Sequence, residues 1–284
     1  MSGSPEPLNL QQNPARVRRG LAALLQQHST TSAAWQAGLM AETPGTAFFC
    51  AYQAVMRCLD PALPGDVWAA FCISERGMGS LRNMTTQYTT AGGLSGSKSH
   101  VMLAGEGLDY LYVVARGDRE EQLVCVTVPM QAQGVSVEDV SKPQPFFPDV
   151  LHKPVTFSQV TAEAVFSQDA HRALNRPFRY WEDIHLALAL AAWLVAACRK
   201  ESRVEAAERL CVEAEALKTA FSTQPERYHL AALDAFENLQ QTMTDCTEWL
   251  TGPALLAWQR DQIVMAMTAP LRRQIRAKLS APSL

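Results

Sequence analysis

The chain has 284 residues, 48% of them hydrophobic and 19% charged, and a formal net charge of −3. That is ample length for a buried core, and the acidic balance without a long basic run argues against a general nucleic-acid surface. Seven cysteines stand singly, with no CxxC or Cys/His spacing, so no metal site is expected and reduced thiols in the cytoplasm are. The start, MSGSPEPLNL, has neither the basic nor the apolar region of a signal peptide. The apolar run from Leu186 to Cys198 is too short to span a bilayer, so no membrane association is expected.

Residues 1–13 are polar and Pro-containing and are expected to be disordered. Helical spacing then covers Ala15–Gln27, Ser32–Met40 and Thr46–Leu59. The third is the most apolar, with Phe48, Phe49, Tyr52, Val55 and Met56, and Asp60-Pro61 and Pro64-Gly65 stop it. The period changes at Val67. Val67–Ile73 reads as a strand that breaks into a turn within FCISERGMGS, at Gly77, Gly79 and Ser80. Such a loop exposes backbone N–H groups and a small hydroxyl, which can cradle a planar polar ligand or a phosphate. The same glycines also serve a plain hairpin connection through their φ angles, and the local residues leave both readings open.

Thr85–Thr89 alternates as a strand with one wet face, and Gly92-Gly93 reads as a tight turn. LSGSKSH (Leu94–His100), DYLYVVAR (Asp109–Arg116) and the stripe Val124, Val126, Val128 follow as further strands. The segment Ser141–Pro154, with four prolines plus Phe146 and Phe147, reads as a loop laid over an apolar surface. From Tyr180 the chain is helical. Glu182–Lys200 is apolar almost all round, as a buried central helix is. Val204–Phe221 and Tyr228–Leu250 are amphipathic, and a last helix runs from Ala254 with Pro270 kinking or splitting it. Four helices with short loops predict an antiparallel bundle.

The order of these pieces resembles the acyl-CoA dehydrogenase family. That family has a strand ending Thr-Glu-Pro-x-x-Gly-Ser-Asp, where this chain has Ser74, Glu75, Arg76, Gly79, Ser80 and Leu81. A Leu-Asn-Gly-x-Lys strand follows, here Leu94, Ser95, Gly96, Ser97 and Lys98. Then come a strand like Asp109–Arg116, a Val-Pro strand end (Val128-Pro129) with a Gly-Val-Ser-Val turn (Gly134–Val137), and a strand like VTFSQV (Val155–Val160). The likeness covers about residues 67–166 most closely. It implies an α+β chain in three parts: a shortened helical N-terminal part (1–66), a central β-barrel or sandwich (67–166) and a C-terminal four-helix bundle (167–284) that supplies oligomer contacts.

The resemblance further implies FAD and the removal of two hydrogens from an acyl thioester, carried by coenzyme A or an acyl carrier protein. The family's flavin contacts fall on Phe71, Ile73, Ser74, Gly79 and Ser80, with His100 placed to stack on the ring or to fill a structural role. Met102 stands where the family has a hydroxyl residue. The usual catalytic glutamate position is Ala269 here, beside Pro270. The family's other position falls on Glu182, which leaves it as the candidate base; a first-turn carboxylate favoured by the helix dipole is the competing reading. His185, one turn on, either tunes that carboxyl or fills the core. The Arg-x-x-Phe-Gly loop that binds the FAD diphosphate of a neighbouring subunit has no counterpart between Lys200 and Val204. The resemblance therefore implies a homo- or hetero-oligomer in which a full-length member lends those contacts, or a flavin-free subunit with an interaction role.

Overall fold

The computed structural model describes residues 6–105, 107–119, 121–139 and 144–281. They divide into a helical unit (Met1–Cys58, Pro145–Asp149 and Phe178–Leu284) and a β unit (Leu59–Gln144 and Val150–Pro177).

The helical unit is built from α1 (Pro14–Gln27), α2 (Thr30–Met40), α3 (Pro44–Leu59), α4 (Arg176–Lys200), α5 (Val204–Thr223), α6 (Leu230–Asp245), α7 (Gly252–Asp261), α8 (Ile263–Met267) and α9 (Ala269–Ser280). Helix α1 starts where Asn13 accepts the Arg16 N–H at 3.0 Å and Pro14 takes a position that needs no donor. Every residue of α4 from Asp183 to Val195 is buried, because the helix is apolar on all sides and other helices cover them. Gly38 of α2 lets one backbone reach another: a Cβ there would stand 2.2 Å from the Ala189 carbonyl oxygen of α4.

Two expectations change here. Residues 8–13 are ordered, because Leu8 and Leu10 are buried and Leu8 forms a backbone bridge with Ala41, its N–H donating to Met40 at 2.7 Å. Residues 1–5 lie outside the described residues. The last helix, expected to kink or split at Pro270, breaks ahead of it as well, into α7, α8 and α9, and Pro270 opens the last of these. The proline-rich segment does lie on apolar surface. Phe147 is fully buried, stacks on Phe48 at 4.5 Å and donates its N–H to Asp261 Oδ1 at 2.8 Å. Ser141–Pro143 lie outside the described residues.

The β unit holds β1 (Ala69–Cys72), β2 (Gln87–Thr89), β3 (Gly93–Met102), β4 (Tyr110–Arg116), β5 (Leu123–Pro129), β6 (Val135–Val137), β7 (His152–Val160) and β8 (Ala164–Ser167). Its strands form one connected mixed sheet in the order β6-β7-β3-β2-β4-β5-β8, with β1 added to β4. The branch lies on β4. One of its edges pairs with β5 throughout. Tyr110–Val113 also pair with β1 in parallel and Arg116 pairs with Gln87 of β2. Leu111–Ala115 of β4 are all buried, as its position at this junction requires.

Candidate functional site

In the β unit, the loop after β1 is held by a buried ion pair. Lys98 of β3 is 1% exposed and donates from Nζ to Glu75 Oε1 at 2.8 Å and to the Ile73 carbonyl at 3.1 Å. Glu75 also accepts from Thr85 N and Oγ1, each at 2.7 Å, and from Thr86 N at 3.1 Å. Burial alone would raise the Glu75 carboxyl, but these hydrogen bonds outweigh it and hold it at about 2. The two motifs read from the sequence are thus joined by their charged members.

This anchoring leaves Ser74 at the surface. Its carbonyl accepts from Ser99 N at 2.9 Å and Ser99 Oγ at 3.2 Å, while its own N–H and hydroxyl have no partner among the described residues. With Ser99 Oγ donating to Ser74, the His100 Nδ1–H donates to Ser99 Oγ at 2.7 Å, and the ring is exposed. Gly77, at φ +73°, and Gly79 face open space: a Cβ on either would meet nothing within 4 Å. Ser80 accepts the Arg82 N–H at 3.3 Å and opens a short 3-10 turn over Leu81–Asn83. Phe71 is buried in β1 and Met102 in β3.

Beside Ser80 lies a cleft of about 790 Å³ bordered by Arg82, Arg116 and Arg172, with His171 and the acidic Glu121 and Asp169. Asp169 is engaged in capping the π-helical turn Ala170–Asn175, accepting from Arg172 N at 3.1 Å. The three guanidinium groups make no hydrogen bond or ion pair among the described residues. Nothing in the local sequence marks them, since they come from three separated segments.

In the helical unit, α4 begins at Arg176, so Glu182 stands in its second turn and the helix-dipole reading falls: the N-terminal partial charge acts within the first turn. Glu182 is half-buried and has no hydrogen bond or ion pair among the described residues. Burial, and then the neighbouring Asp183 charge, push its carboxyl up to about 7 against the opposing Arg179. His185 does not tune it. Its Nδ1–H donates to Trp181 O at 2.7 Å, Nε2 accepts from Thr30 Oγ1 at 2.9 Å, and burial holds it near 4, a neutral core residue. Sequence reasoning missed Asp183, which accepts from Thr268 Oγ1 at 2.6 Å, Tyr228 Oη at 2.7 Å and Arg272 Nη1 at 3.1 Å. The residue after Glu182 therefore touches the residue before Ala269, so the two base positions that the resemblance offers lie on touching stretches of α4 and α9. Glu182 belongs to the helical unit; the six cofactor candidates belong to the β unit.

N-terminal helices, a central mixed sheet and C-terminal helices in this order make the acyl-CoA dehydrogenase-like α+β fold, and the structural neighbours are members of that family. Butyryl-CoA dehydrogenase from Megasphaera elsdenii is similar at TM-score 0.71 and 12% identity, over 96% of this chain and 90% of that one. PigA, solved as an FAD complex, is similar at 0.69 and 14%, over 97% and 91%. The prolyl acyl carrier protein oxidase AnaB is similar at 0.68 and 16%, over 94% and 89%. No family sequence profile matches the chain, and no curated protein matches it in sequence.

Proposed function

We propose that this chain is a flavin-dependent oxidoreductase acting on the CH–CH bond of an acyl thioester, working in the cytoplasm as a subunit of an oligomer with a full-length relative. The observation that carries this reading is Glu182. A carboxyl without a partner among the described residues, beside a neighbour that has three, and pushed up to about 7, is able to take a proton near neutral pH. Its role is to accept the substrate's α-proton on a carboxylate oxygen.

The β-unit residues fit the ring half of FAD. Ser74 offers a free N–H and hydroxyl, Phe71, Ile73, Gly79 and Ser80 flank it, the bare Gly77 and Gly79 leave room for close approach, and the exposed His100 ring offers a face for stacking. When bound, FAD supplies the two-electron acceptor. Arg82, Arg116 and Arg172, without side-chain partners among the described residues, suit the phosphate shared by coenzyme A and the phosphopantetheine arm of a carrier protein.

The diphosphate half has no such set, because only Glu201–Arg203 connect α4 to α5. That feature, with Met102 buried where the family has a hydroxyl, favours a second reading: a flavin-free interaction subunit. Co-expression with a full-length relative separates the two. A yellow complex bleached by acyl-CoA or acyl carrier protein, with bleaching at this chain's own site lost in Glu182→Gln, supports the enzyme. A complex in which this chain adds no flavin supports the second reading. Purified alone, the chain is expected to hold FAD weakly or not at all, and stoichiometric tight FAD without a partner would contradict the shared-site reading.

A further inference from the structure

Adjacent on α4, Glu182 and Asp183 have opposite surroundings. Asp183 is buried and every partner it has comes from outside α4: Thr268 just before α9, Arg272 within it, and Tyr228 just ahead of α6. Arg272 is itself 4% exposed. Its guanidinium lies 4.1 Å from the centre of the Phe236 ring, and Nη2 donates to Met265 O at 2.8 Å and Gln240 Oε1 at 3.3 Å. A buried ion pair is tolerated when the remaining donors and acceptors are filled, and here both Nη atoms of Arg272 and both carboxylate oxygens of Asp183 are engaged. It also has a consequence next door: Arg272 is committed to Asp183 and is not available to pair with Glu182.

We propose that Asp183 is a positioning residue for Glu182: by tying Thr268, Tyr228 and Arg272 to the second turn of α4, it docks the start of α9 there and keeps the nearby guanidinium from pairing with Glu182. The proposal rests on the reading of Glu182 as the base. The charged and titratable groups that bear on Glu182 are Asp183 and Arg179 from α4, Tyr228 from the segment before α6, and Arg272 from α9 by way of Asp183; His185 stays neutral. Burial and Asp183 push the Tyr228 hydroxyl up, so it remains a donor.

The test is Asp183→Asn in the whole chain, read by 13C NMR titration of the glutamate side-chain carboxyl carbons, with Glu182→Gln providing the assignment. Losing the Asp183 charge and releasing Arg272 should both lower the Glu182 midpoint, by about one pH unit or more. A midpoint that stays put overturns the proposal. Thr268→Val keeps the ion pair and removes two hydrogen bonds to charged groups, the one Thr268 Oγ1 donates to Asp183 and the one it accepts from Arg272 Nη1. It should raise amide exchange at Ala269 by about tenfold, and unchanged exchange there overturns the docking role even if Asp183→Asn does not fold. In a flavin-loaded assembly, the pH profile of substrate bleaching should follow the NMR midpoint. A midpoint that moves while the profile stays fixed upholds Asp183 as a positioning residue and rejects Glu182 as the base.

Discussion

Replacing Lys98 with Met removes the cation paired with Glu75 in the β unit, and the cost can be worked from the geometry. The Glu75 carboxylate would remain buried and charged, with Thr85 N, Thr85 Oγ1 and Thr86 N still donating to it. Removing one partner of a buried pair costs roughly 3–5 kcal/mol, and these three donors place Lys98→Met toward the low end of that range. Glu75→Gln should cost more. The amide nitrogen must face either the Thr85 N–H or the Thr86 N–H and Lys98; in the second case the ammonium is left with the Ile73 carbonyl, and in the first with a neutral amide oxygen in place of a carboxylate. Holding the Glu75 carboxyl at about 2 against an ordinary 4.5 corresponds to ~3 kcal/mol at 1.36 kcal/mol per pH unit, shared among Lys98, Thr85 and Thr86, while burial lowers Lys98 and offsets part of it. Because the folded value is depressed, this stability is fully present above about pH 4.5 and disappears as pH falls toward 2. Urea unfolding of both single variants and the double variant, at neutral pH and at pH 3, measures it. Near-additive single losses below about 1 kcal/mol would refute the claim that this pair holds the loop.

Other expectations follow from the helical unit. Glu182→Gln should abolish the rise in substrate-dependent bleaching as pH passes about 7. Since the folded carboxyl keeps its proton to a higher pH than the unfolded one, it should also flatten the loss of stability as pH rises from 4.5 through 7, seen in melting curves across that range. Gly38→Ala should destabilise by ~1–3 kcal/mol or more in chemical denaturation, because the added Cβ meets Ala189 backbone, which has no side-chain freedom with which to yield. Phe147→Ala should cost ~3–5 kcal/mol by the same assay, since it empties a fully buried position stacked on Phe48.

The sequence alone determined what is local. Helical spacing located α1, α2, α3 and α5 to within about two residues, missed the start of α4 by six and the end of α6 by five, and Pro270 marked a break, because amphipathic period and a missing N–H act within one or two turns. Ordered landmarks from Ser74 to Val160 marked the β unit, and a position count picked Glu182 in place of Ala269. Tertiary structure decided what depends on partners far apart in the chain. Lys98 was legible as a motif lysine, but not as the cation of Glu75. Asp183 carried no signal, since its partner Arg272 lies 89 residues away. Arg82, Arg116 and Arg172 read as ordinary surface charges until the sheet brought them to one cleft. The branch of the sheet at β4 was hidden because strand pairing is a long-range choice that alternation of side chains does not encode. Leu8 looked like part of a polar tail, and it became core only because Ala41 and Met40 supplied the backbone partners that its own segment lacks.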